Sequence, residues 1–124
     1  MTKVVKGGGA ELEDRVRKAL ADQGFGILTE IDVQATLRSK LGAEIGPYKI
    51  LGACNPAFAK GALEMEARIG VMLPCNVLLR GVEGGTEISI VDPVASMTAI
   101  DNPGLLAHAE AVRGKLHQAF ETIG

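Results

Sequence analysis

Residues 75–92 read CNVLLRGVEGGTEISIVD. Apolar and polar residues alternate at period two on both sides of Gly84-Gly85, the pattern of two strands joined by a tight turn. Cys75 to Val82 and Thr86 to Asp92 are therefore expected to form a hairpin. A hairpin pairs its strands antiparallel, so it points the rest of the chain toward a mainly antiparallel sheet.

Upstream, Tyr48 to Cys54 reads as a strand, with Tyr48, Ile50 and Cys54 on one face and Lys49, Leu51 and Ala53 on the other. Phe25 to Val33 also reads at period two. Phe25, Ile27, Ile31 and Val33 are assigned to one face; Leu28, Glu30 and Asp32 to the other. Val4 and Val5 suggest a short first strand before Gly7-Gly8-Gly9. Between these strands lie helical patterns. Ala10 to Gln23 carries Leu12, Val16, Ala19 and Leu20 on one face, and Glu11/Arg15, Glu13/Arg17 and Asp14/Lys18 as acid-first i,i+4 pairs. Val33, Leu37 and Leu41 suggest a short helix ended by Gly42. Asn55-Pro56 is a helix cap followed by Pro at the first helical position, opening a helix expected to run to about Ile69 on a Phe58, Ala62, Met65, Ile69 stripe. Asp92-Pro93 reads as a cap and a short helical turn. Asn102-Pro103 opens the last helix, which buries Leu105, Ala109, Val112, Leu116, Phe120 and Ile123. The order is β-α-β-α-β-α-β-β-α. The expected fold is α+β, a mainly antiparallel sheet with helices on one face, in one domain over residues 1–124.

Composition narrows the function. The 124 residues include only 3% aromatics and no Trp, which leaves few stacking platforms for bases. Thirteen basic and fifteen acidic residues give a net charge of -2, with no basic run longer than Arg17-Lys18. Neither nucleic acid nor an anionic membrane surface is an expected partner. The stretch Met1 to Gly7 lacks the apolar segment of a signal peptide, and a cytoplasmic location is the default expectation. The 16 glycines mostly punctuate elements. Gly7-Gly8-Gly9 precedes a helix without the Gly-Lys-Ser/Thr of a phosphate loop. No dinucleotide fingerprint and no nucleophile elbow is present, so no cofactor is expected and no recognised catalytic set forms.

The chemistry that remains centres on a doubled string. Cys54-Asn55-Pro56 closes one strand and Pro74-Cys75-Asn76 opens another. If the two strands are antiparallel neighbours, Cys54, Asn55, Cys75 and Asn76 converge at one sheet edge. A thiol pair there would serve redox chemistry or hold a small molecule or a soft metal ion, with Met72 or Met97 as a further sulfur. The N-H groups of the helix at Pro56 would favour a thiolate at Cys54. The alternative is two inert core cysteines, a common fate for that side chain, with Asn55 no more than a cap. His108 and His117 lie nine residues apart on one helix and face opposite ways, and there is no C-x-x-C, so no structural zinc site is expected. Glu30 and Asp32, with Lys49 on the next strand, are acid-base candidates on an exposed sheet face; a solvated cross-strand ion pair is the plainer reading.

Taken together, Gly24-Phe25-Gly26-Ile27 running into Glu30-Ile31-Asp32-Val33, the segment Tyr48 to Pro56, the stretch Leu73 to Val77 and Val91-Asp92-Pro93 with Met97 resemble the domain-of-unknown-function family numbered 302. The resemblance implies a small α+β domain with a curved antiparallel sheet, similar in topology to the TATA-box-binding protein, and implies no activity. The expected function is a ligand-binding or thiol-based module with candidate site residues Cys54, Asn55, Cys75, Asn76, Glu30 and Lys49. The alternative is a non-catalytic module acting as a homodimer or larger homo-oligomer through its sheet face or edge.

Overall fold

The hairpin sits at the centre of the fold. In the computed structural model, which describes residues 1–124, β4 (Cys75–Val82) and β5 (Gly85–Ile90) pair antiparallel with Leu79 opposite Ile88. The turn between them holds Gly84 at φ +85°, a backbone region that disfavours a side chain. β1 (Thr2–Val5) flanks β5, β3 (Tyr48–Cys54) flanks β4, and β2 (Gly26–Asp32) closes the far edge, giving the order β1-β5-β4-β3-β2. Every pairing is antiparallel. The α+β class read from the sequence is the one observed.

Alternation sorts each strand into a covered and an open face. Leu51, Ala53, Val77, Leu79 and Ile88 point to the covered face and are buried. Two helices lie on it: α1 (Gly9–Asp22) through Leu12, Val16, Ala19 and Leu20, and α5 (Pro103–Thr122) through Val112, Leu116, Ala119 and Phe120. These are the stripes that the 3.6-residue period marks. A second, smaller cluster joins α3 (Pro56–Met65), a 3-10 turn (Ile69–Met72), α4 (Pro93–Met97) and α5 through Ala62, Ile69, Met97, Leu105 and Ala109. α2 (Val33–Leu41), capped by Asp32, buries no residue.

Two expectations are corrected. In β2 the pairing jumps from Ile27 opposite Ala53 to Thr29 opposite Gly52, so Leu28 is an extra, bulged residue. A bulge reverses the alternation beyond it. Glu30 and Asp32 therefore fall opposite Leu51 and Lys49 on the helix-covered face, and Ile31 faces the open side at 48% exposure. Second, α3 stops at Met65, not near Ile69. Glu66 is extended at φ -146°, the Asn102 amide donates to the Met65 carbonyl, and Ile69 is buried by the 3-10 turn that follows. Met65, assigned to the buried stripe, is 43% exposed.

Candidate functional site

The thiol pair is built by sheet register. β3 ends at Cys54 and β4 begins at Cys75, and pairing places Ala53 directly opposite Cys75. Both cysteines are free; Cys75 is buried and Cys54 half-buried. They line one cavity of about 30 Å³, shared with Phe58 of α3, Met97 of α4, and His108 and Ala109 of α5. That volume holds about one water or a single ion, in a mostly apolar wall. Residues 54 and 75 are remote in sequence, and the β3-β4 pairing brings them near. Cys54, although next to the Cys75 partner Ala53, reaches the same cavity because it is the last residue of β3, where strand alternation ends.

Of the two asparagines, Asn55 lines the cavity and Asn76 does not. Asn55 caps α3: its side-chain oxygen accepts from Phe58 N-H and its amide nitrogen donates to the Gln23 carbonyl. Asn76 lies opposite Gly52 on the open face of the sheet and is exposed. Cys75 and Asn76 are successive residues of one strand, so alternation sends them to opposite faces. The expected convergence of two thiols and two amides reduces to two thiols and one amide, Asn55, whose polar atoms are taken up by Phe58 N-H and the Gln23 carbonyl.

Burial sets the state of the thiols. It pushes the Cys54 thiol up, and it pushes Cys75, with a smaller contribution from the neighbouring Cys54, up to about 11. Both are neutral S-H groups at pH 7. Desolvation is what raises Cys54, and no lowering accompanies its place beside the helix N-terminus at Pro56.

Sequence reasoning missed one wall of the cavity. His108 Nε2 meets the Phe58 carbonyl oxygen, and the two rings stand edge to face at 5.2 Å and 73°. The imidazole packs over Gly61, where an added Cβ would lie 2.8 Å from Cε1. The available signal was Gly61 itself, a glycine inside an otherwise strong helix. His117 is exposed and pairs with Glu121 at 3.6 Å, on the other side of α5. No group of three or more His, Cys, Asp or Glu side chains converges on a metal position.

Glu30 and Lys49 belong to a different cluster. Lys49 Nζ donates to Glu13 at 2.9 Å and lies 2.8 Å from Glu30, while Arg17 lies 3.0 Å from Glu13 and 2.8 Å from Glu30. Two acids and two bases thus close a square between α1, β2 and β3. The hydrogen bond from Lys49, helped by Arg17, holds the Glu13 carboxyl below its ordinary value against the opposing effect of burial; Lys49 is raised by its bonds to Glu30 and Glu13. Neither shift moves a group toward neutrality, which is what a general acid or base at pH 7 needs. Glu13 and Lys49 also line a separate, open cavity of about 320 Å³ with Asp32, Gln34, Tyr48 and Thr86.

The fold and the site define a small α+β domain: an antiparallel sheet covered on one face by helices, with a thiol-lined cavity at the β3-β4 end. A family model described as domain of unknown function DUF302 matches residues 1–123. The chain belongs to that family. It is similar to the crystal structure of an uncharacterized conserved protein DUF302 from Bacillus stearothermophilus, with 27% sequence identity, a TM-score of 0.93, and coverage of 100% of this chain and 97% of that one. No curated protein matches the chain. No helix is long and apolar enough to cross a membrane.

Proposed function

We propose that the domain is a small binding module whose site is the cavity carrying Cys54 and Cys75. One observation supports this above the others: the protein's two cysteines, distant in sequence, line the same cavity. With both thiols neutral at rest, neither is a standing nucleophile, and a ligand held through sulfur would displace their protons as it binds. The test is native-state labelling with a small methylthiolating reagent, followed by mass spectrometry of each cysteine. Half-buried Cys54 is expected to react first and Cys75 more slowly, both without unfolding. If both resist until denaturant is added, they are core residues and the reading fails.

A second reading has its own observation. On the open face Ile31, Ile50 and Leu78 stand in one row across β2, β3 and β4, and Val4 and Leu28 are 57% and 66% exposed. The Arg80 and Glu87 side chains on this face already pair with each other at 3.1 Å. A neutral apolar row suits a second copy of the chain better than a charged partner. Light scattering that returns the mass of one chain at high concentration would dismiss it.

A further inference from the structure

We propose that the ligand of the thiol cavity is a single soft monovalent metal ion, Cu(I), held between the sulfurs of Cys54 and Cys75 with the Met97 thioether as a weaker third donor. The inference rests on reading that cavity as the site. Donor chemistry selects the ion. Thiolate and thioether sulfur favour Cu(I), whereas carboxylate and carbonyl oxygen favour Mg, Ca and Mn. All three sulfurs line the cavity, and no carboxylate does. Donor number selects it as well. A tetrahedral zinc site wants four ligands, and no third His, Cys, Asp or Glu joins the two cysteines. The His108 Nε2 faces the Phe58 carbonyl and is not free to bind. Two-coordinate binding by a thiol pair is a geometry that Cu(I) accepts.

Size and charge agree. A cavity of about 30 Å³ accommodates one ion stripped of water and excludes a hydrated one. Binding exchanges protons for metal: each S-H bond breaks, each sulfur keeps its electron pair and forms a bond to copper, and two protons leave to solvent. The copper stays Cu(I), and the bis-thiolate unit carries one net negative charge. That charge develops beside the N-terminus of α3, a ten-residue helix that starts two residues after Cys54, where the helix dipole offsets it.

The experiment is anaerobic titration of the intact protein with Cu(I) in competition with a chromophoric Cu(I) chelator. One Cu(I) per chain is expected. Affinity should fall by more than about a hundredfold in Cys54→Ser and in Cys75→Ala, each of which removes one of two direct ligands where even outer-shell partners are worth about 10–100-fold, and by about tenfold in Met97→Leu. Met72→Leu, outside the cavity, should leave affinity unchanged. Cys75→Ala keeps the position apolar, and circular dichroism on each variant separates lost binding from lost fold. Retention by both cysteine variants, or one copper per two chains, would overturn the proposal. If both thiols can be labelled in the native state yet the chelator strips all copper, the ion is wrong and the thiol site stands. If the thiols are sealed and no copper is held, both fail.

Discussion

Replacing Lys49 with Met separates a structural role for the charged square from a chemical one. Lys49 reaches Glu13 at 2.9 Å and Glu30 at 2.8 Å, with side-chain exposures of 30% for Lys49, 16% for Glu13 and 46% for Glu30. The bond to Glu30 lies near solvent and contributes little. The bond to Glu13 does more, because its loss leaves a mostly buried carboxylate served by Arg17 alone. A hydrogen bond to a charged group contributes about 1.5–3 kcal/mol, and stranding one partner is worse than removing both. Lys49→Met should therefore cost about 2 kcal/mol at pH 7, lowering the urea midpoint by about 1 M at a typical slope for a chain of this size. The pH dependence follows from the direction of each shift. Glu13 is depressed in the folded state, so its contribution is complete above its ordinary value of 4.5 and is lost as pH falls through the lower, folded value. Lys49 is raised, so its contribution is complete below its ordinary 10.5 and is lost only as pH rises through the folded value. The gap between wild type and Lys49→Met should thus stay level from about pH 5 to 10 and close in acid. Urea denaturation at pH 7 and pH 3 measures it. A gap at pH 7 below about 0.5 kcal/mol, the surface-pair range, or one equally large at pH 3, would refute the reasoning.

Four further substitutions probe the surroundings of the thiol cavity. At Gly52 an added Cβ would overlap the Thr29 hydroxyl and lie 2.6 Å from Pro74 Cγ, so Gly52→Ala should destabilise by about 2–3 kcal/mol in denaturant titration. Thr29→Gly in the same chain should restore only part of that loss, since Pro74 remains. Gly61→Ala sets two effects against each other. Ala gains about 1 kcal/mol over Gly in a helix, but its Cβ would press on the His108 ring. Thermal melts should show no stabilisation in wild type and a clear gain in a His108→Ala background; a gain in both would mean that the ring is not fixed there. Cys75→Ser puts a hydroxyl where only 7% of the residue is exposed and should cost about 1–3 kcal/mol. Cys54→Ser, half-buried, should cost less; equal losses by the same titration would contradict the difference in burial.

Legibility in the sequence followed locality. Asn55-Pro56, Asp92-Pro93 and Asn102-Pro103 each encode a helix start within two or three residues, and all three asparagine or aspartate side chains accept the backbone N-H bonds expected of caps. The hairpin is equally local. Errors arose where one residue shifts a phase or where the outcome depends on distant packing. Leu28 is bulged with neither Gly nor Pro beside it, and that single insertion carried Glu30 and Asp32 from the expected open face to the one under α1. There Glu30 meets Arg17 and Lys49. The end of α3 at Met65 has no local stop signal either; it is fixed by Asn102, thirty-seven residues on.

The two cysteines share a cavity because β3 and β4 are antiparallel neighbours, a condition stated from the sequence before any geometry. Asn76 leaves the site because adjacent residues of a strand face opposite ways, Cys75 toward the covered face and Asn76 toward the open one. Cys54 and Asn55 escape that rule because β3 ends at Cys54 and the chain turns into α3, so both line the cavity. Period two therefore predicts that Asn76 is dispensable to whatever the cavity holds, whereas Asn55 both lines the cavity and caps α3. Asn76→Ala should leave native thiol labelling of Cys54 and Cys75 unchanged. Asn55→Ala, which removes the cap at a cost of about 1 kcal/mol, should speed labelling by loosening the helix that walls the cavity. If Asn76→Ala altered labelling and Asn55→Ala did not, Asn76 would act on the cavity from the open face and strand alternation would not separate it from Cys75.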